Sequence, residues 1–225
     1  MTMSLPRGAV PDRPDDESPP DPVVALGSRV PDWLRQWCLT SGREIDVRPE
    51  PTHGTWAPQS TAALTREVSR LTGTTVWIPR DHDHDHGWPS RVAAAVRDLP
   101  GDDRVLAEAA AASAYLGATL LILHAVPVSF AERSVGLDAA VDHGRQVLAR
   151  AAANAADRLP DGCVTVSKLV RAYPHELVGE ALDADLLVMG GPRPGVGMAS
   201  GLVLRTALHH APCPVLLAPR ARDDA

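Results

Sequence analysis

Lysine is almost absent from this chain. Lys168 is the only one, so no glycine-rich stretch has the lysine beside it that a phosphate-binding P-loop needs. Basic charge is not in surplus either. The net charge is −6, which offers no cationic face to a phosphate backbone and excludes a general nucleic-acid binder. No apolar run approaches the roughly 18 residues that a spanning helix requires, so a membrane protein is not expected. Met1 to Pro6 carries no charged-then-apolar leader, and a cytoplasmic location is expected. The three cysteines, Cys38, Cys163 and Cys213, are odd in number and far apart. They read as small buried hydrophobes in a reducing compartment, not as a disulfide frame or a zinc set.

What is present has a clear order. Residues 1–21 form a tail with five prolines and the acidic run Asp15-Asp16-Glu17. Such a segment buries too little apolar surface to offset the entropy of ordering and is expected to be disordered. All five tryptophans (Trp33, Trp37, Trp56, Trp77, Trp88) precede residue 89, and the chain beyond is alanine-rich with one phenylalanine, Phe130. The shift predicts two units, 22–80 and 90–220, joined by a linker over 81–89.

In the second unit, Val92–Val96, Leu120–Leu123, Leu186–Met189 and Val215–Ala218 are continuous apolar runs. Runs of that length suit strands of a parallel sheet covered on both faces. Val164, Val166 and Val170 partly alternate with polar residues and predict an edge strand. Helical patterns lie between. Asp103 is expected to cap a helix with Val105, Leu106, Ala109, Ala112 and Leu116 inward, and Gly117 stands where a left-handed residue ends it. Leu137–Leu159 repeats the pattern with Val141, Leu148, Ala152 and Ala155 inward. Pro174 opens a short helix, and a last helix covers Leu202–His210. The alternation predicts an α/β fold, a three-layer sandwich around a five-stranded parallel sheet.

The first unit repeats this order in shorter form: a strand at 22–27, a helix at Asp32–Thr40 with Asp32 as cap, a strand at Glu44–Val47, a helix at Ser60–Leu71 and a strand at Thr75–Ile78. A constant shift lays Arg66 on Arg205 and Val76 on Val215. The chain between Val47 and the last helix is too short for the missing helix-strand-helix-strand. An internal duplication with a cut-down first copy follows.

Three segments resemble the universal stress protein family: Leu208-His-His-Ala-Pro-Cys-Pro-Val-Leu-Leu217, Asp183-Ala-Asp-Leu-Leu-Val-Met-Gly190 and Gly117-Ala-Thr-Leu-Leu-Ile-Leu-His-Ala-Val126. The resemblance covers about Arg91–Arg220, with a degraded match over 22–80. It implies a nucleotide-binding α/β fold, pairing through the last strand as an intramolecular pseudo-dimer or a homodimer, and a regulatory or binding role without catalysis. It also implies a nucleotide site, for ATP or AMP, at Asp98, Ala125, Met189, Gly190, Arg193, Gly195, Gly201 and Leu202. The physical basis is that glycines let backbone N–H groups approach phosphate oxygens at a helix start. This chain departs from the family's G-x-x-G-x9-G-[S/T] pattern. Gly190 matches the first glycine and Arg193 replaces the second. Gly201 matches the third in a loop two residues shorter, and Leu202 replaces the hydroxyl. Weak nucleotide binding is therefore expected. A nucleotide-hydrolysing or adenylating enzyme on the same fold is the alternative. It would need a base or lysine near Asp98 and the 190–202 loop.

Asp81-His-Asp-His-Asp-His86 places His82, His84 and His86 on one side of an extended chain, a spacing that metal ions accept. A solvated linker is the plainer reading, and no metal is expected. Cys163 and Cys213 have no matched base, and His209 and His210 read as surface or interface residues, so no catalytic set is assigned. Trp33 and Trp37, four apart on one helix face, read as core.

Overall fold

The computed structural model describes residues 21–27, 29–49, 58–80, 89–127, 136–192 and 201–220. The 1–20 part of the tail and the His82, His84 and His86 run lie outside them. The elements are β1 (Val23–Leu26), α1 (Asp32–Thr40), β2 (Ile45–Arg48), α2 (Pro58–Arg70), β3 (Thr75–Ile78), β4 (Arg91–Ala95), α3 (Asp103–Leu116), β5 (Thr119–Ala125), α4 (Leu137–Ala156), β6 (Thr165–Val170), a 3-10 helix at Glu176–Ala181, β7 (Leu186–Gly190), α5 (Leu202–His210) and β8 (Val215–Ala218).

Among the described residues one sheet of eight strands runs in the order β2-β1-β3-β8-β7-β4-β5-β6. The expected five-stranded parallel sheet is present as β6-β5-β4-β7-β8, and it continues into three more strands. The continuation is antiparallel: Val76 pairs with Leu217, Trp77 with Leu216 and Ile78 with Val215. The other pairings are parallel. β6 lies at the edge of the sheet, as its alternation predicts, with Val164 and Val166 exposed.

Side chains alternate between the two faces of a strand, and each face builds one core that spans both halves of the chain. One face joins Val23, Ala25, Leu34, Trp37 and Trp77 to Val92, Leu106, Ile122, Val188 and Leu216, under α1, α3 and α4. The other joins Leu26, Val68, Val76 and Ile78 to Leu187, Leu208, Val215 and Leu217, under α2, α5 and the 3-10 helix. Trp37 is buried, and Trp33 meets Trp77 edge-to-face with ring centroids 5.3 Å apart. Cys38 and Cys213 are buried free thiols and Cys163 is half-buried. Burial pushes the Cys213 thiol up to about 12.

A polar network crosses between the halves inside the first core. The Arg43 guanidinium donates from Nη1 to Glu108 Oε2 (2.6 Å), from Nη2 to Thr75 Oγ1 (2.7 Å) and from Nε to the Asp21 carbonyl (2.9 Å). Thr75 Oγ1 in turn donates to Glu108 Oε1 at 3.2 Å. Glu108 stands on α3 and the others precede β4, so the network ties the N-terminal strands to the following unit.

Three local expectations change. Asp103 does not cap α3. It is the first helical residue, and its carboxylate accepts two bonds from Arg158 Nη2. Asp102 occupies the cap position and turns back, accepting the N–H groups of Arg97 (2.6 Å) and Asp98 (3.2 Å), which satisfies its own buried carboxylate. Asp32 is likewise the first residue of α1, behind Pro31. The helix expected from Pro174 is a 3-10 turn beginning at Glu176. Gly117 does end α3 with φ of 63°, a left-handed conformation that costs glycine little.

His124 on β5 is buried, with Nδ1 2.9 Å from the Val96 carbonyl, so that nitrogen carries the proton. Burial lowers its pKa below the ordinary value. The Val96 bond opposes this, His143 adds to it, and Asp98 and Asp102 oppose it. Below pH of about 6.5 the unfolded chain takes up a proton that the folded ring refuses. The unfolded state then binds more protons, so this contribution to stability is present above about 6.5 and lost as pH falls.

Three expectations follow from this architecture. Glu108→Ala leaves the Arg43 charge buried without its carboxylate and is expected to cost about 3–5 kcal/mol in urea denaturation. A loss under about 1 kcal/mol would show the pair to be solvated. A chain beginning at Pro89 lacks β3 and exposes the β8 edge, so it is expected to self-associate in sedimentation experiments. A monomer of unchanged stability would remove β3 from that role. Nitrogen NMR of the His124 ring should show an imidazole that is Nδ1-protonated when neutral and that titrates below the ordinary histidine value. A ring titrating at or above about 6.5 contradicts the burial argument.

Candidate functional site

In the five-stranded part of the sheet the chain starts at β4, adds β5 and β6 on one side, then crosses to place β7 and β8 on the other. The strand ends diverge at such a switch point and leave a crevice outside their carboxyl ends. A cleft of about 330 Å³ lies there. Ala95, Val96 and Arg97 line it from the end of β4, Ala125 from β5, and Met189, Gly190, Gly191 and Pro192 from β7. Pro174 and Leu177 form a second wall, Gly201, Val203 and Leu204 a third, and Arg220 closes the side next to β8.

Four residues expected from the sequence meet in this cleft: Ala125, Met189, Gly190 and Gly201. Asp98 does not line it. Asp98 is exposed on the β4–α3 loop, where its Oδ1 accepts the N–H of Leu99 at 2.8 Å. Leu202 opens α5 but points away, 59% exposed, between two lining neighbours. Arg193 and Gly195 lie outside the described residues.

Two groups that sequence reasoning passed over hold the charged side of the cleft. Arg220 lies so close to Gly190 that a Cβ there would run into its guanidinium, and the arginine side chain would have to move. Its Nη2 stands 3.5 Å from Asp102 Oδ1. The Asp102 side chain is 5% exposed and that of Arg220 22%. One signal was available for Arg220: a charge two residues beyond the last strand, at the end where ligands collect. Nothing in the Asp102-Asp103 pair distinguishes the inward aspartate from the outward one.

Among the described residues, no group of three or more His, Cys, Asp or Glu side chains stands together as a metal site, and no helix is long and apolar enough to cross a membrane.

The sequence profile of the universal stress protein family matches residues 90–219, more than half of the chain. No curated protein matches. Among solved structures, a universal stress protein from Archaeoglobus fulgidus is 16% identical with a TM-score of 0.51, the alignment covering 85% of this chain and 76% of that one. That likeness concerns the fold, and its coverage reaches beyond residues 90–219 into the N-terminal elements. A protein of the family from Burkholderia pseudomallei is 28% identical with a TM-score of 0.44, covering 58% of this chain and 96% of that one. A family protein from Arabidopsis thaliana with AMP bound is 18% identical with a TM-score of 0.44, covering 60% and 95%. The profile match, over the residues that build the β4–β8 sheet and its cleft, shows that this chain belongs to the universal stress protein family.

Proposed function

We propose that this chain is a non-catalytic, stress-response binding protein that takes an adenine nucleotide, ATP or AMP, weakly in the β4–β7 cleft. The observation that carries the reading is the composition of that cleft. Among its described lining residues the only polar side chains are Arg97 and Arg220, and the rest are apolar side chains and glycines. Ala95, Val96, Ala125, Leu177 and Met189 offer an apolar wall for a flat base. Gly201 lets backbone approach a ligand closely, and Arg97 and Arg220 supply the charge of the lining. General acid–base or nucleophilic chemistry needs a carboxylate, imidazole, amine, hydroxyl or thiol at the reacting atoms. The described lining supplies none, which favours binding over hydrolysis or adenylation. Met189, Gly190, Gly201 and Ala125 are assigned to this site together with Asp98 of the β4–α3 loop, with Leu202 as the position where a hydroxyl is missing.

Residues 22–80 are read in the same proposal as a shortened copy of the 90–220 unit, with 81–89 between them. The support is the strand order. Leaving out β6 and β7, the second unit reads β5-β4-β8, and the first reads β2-β1-β3.

Titration calorimetry with ATP and AMP tests the site. Saturable binding is expected, and Gly190→Val should abolish it by driving the Arg220 side chain into the cleft. Leu202→Ser removes an exposed leucine and restores a hydroxyl at the start of α5, so it is expected to tighten binding by about tenfold. No saturable binding up to about millimolar ligand, or binding indifferent to Gly190→Val, would overturn the assignment.

A further inference from the structure

We propose that Arg220, positioned by Asp102, is the residue that receives the ligand's phosphate, so that charge recognition in this cleft comes from the end of β8. The inference rests on the adenine-nucleotide reading of the cleft and adds to it the group that selects the phosphorylated form.

Two described groups that flank the 193–200 segment are poorly placed for the task. The Gly191 N–H is committed to the Ala218 carbonyl at 2.8 Å. Leu202 has no hydroxyl, and its side chain is exposed outside the cleft. Arg220 is differently situated. Its guanidinium rests against Gly190, inside the lining, in space that a Cβ at 190 would take from it. Asp102 holds it from the other side at 3.5 Å. Asp102 is itself fixed by the N–H groups of Arg97 and Asp98, so the arginine is anchored to the β4–α3 loop, an element on which it does not stand. A guanidinium presents a planar fork that matches phosphate oxygens in pairs. Around it the lining is mostly apolar, and an apolar surround strengthens a charge-assisted hydrogen bond. Arg97, the other cation of the lining, has an exposed side chain and sits at the rim.

Calorimetry with AMP and with adenosine separates this inference from the reading beneath it. The unaltered protein is expected to bind AMP about 10- to 100-fold more tightly than adenosine. In Arg220→Gln the two ligands should bind alike, with the adenosine affinity nearly unchanged, which also reports an intact cleft. Arg220→Lys keeps the charge without the fork and should recover only part of the preference. Asp102→Asn should reduce the preference for AMP while adenosine still binds. If Arg220→Gln retains the full preference, or if Arg97→Gln alone removes it, Arg220 is not the phosphate ligand, although the nucleotide site stands. If neither AMP nor adenosine binds the unaltered protein, the nucleotide reading itself fails and this inference with it.

Discussion

The antiparallel pairing of β3 with β8 is the constraint on which the rest of the architecture depends. β8 is a short strand of four buried aliphatic or alanine residues. Left at the edge of a sheet, its unpaired backbone N–H and C=O groups would meet water, a template for pairing with other chains. β3 supplies the missing ladder from within the chain. A homodimer formed through β8 would have to displace it. Because the ladder is in register, Trp77 beside Leu216 continues one core and Val76 beside Leu217 continues the other. The two halves of the chain therefore share each core in the folded molecule.

A buried ion pair reinforces that junction in a different way. Apolar contact is non-directional, and sheets packed by it alone could slide in register. The Arg43 fork reaches Glu108, Thr75 and the Asp21 carbonyl at once, with side-chain exposures of 7% for Arg43 and 9% for Glu108. Taking both charges out of water is costly, and the several hydrogen bonds around them offset that cost. The geometry is satisfied only when β3 and α3 hold one relative position. The arginine also covers the Trp37 ring at 5.5 Å, which links the same residue to the apolar core.

The cleft inherits its shape from this sheet. β8 delivers Arg220 beyond its last residue, and β4 delivers the loop that carries Asp102. Their meeting depends on β7 lying between them, with glycine at its end to let the guanidinium pass. Sheet order thus determines which loops share a site, and the site's charge comes from elements far apart in the chain.

Local pattern made much of the fold legible. Asp32–Thr40, Thr75–Ile78, Leu202–His210 and Val215–Ala218 have the bounds that periodicity and turn residues predict, because each depends on neighbours within a few positions. The edge character of β6 and the left-handed Gly117 were readable for the same reason. Ala125, Met189, Gly190 and Gly201 were found by family motif and do meet in one cleft. The helix starts were less legible: Asp32 and Asp103 read as caps, and only the folded loop shows that Asp102 takes the Arg97 and Asp98 N–H groups. The joining of two predicted units into a single eight-stranded sheet, the partnership of Arg43 with Glu108, and the approach of Arg220 to Gly190 leave no local trace. Each is a contact between residues far apart in sequence, fixed by strand order and register, and so only the tertiary structure decided them.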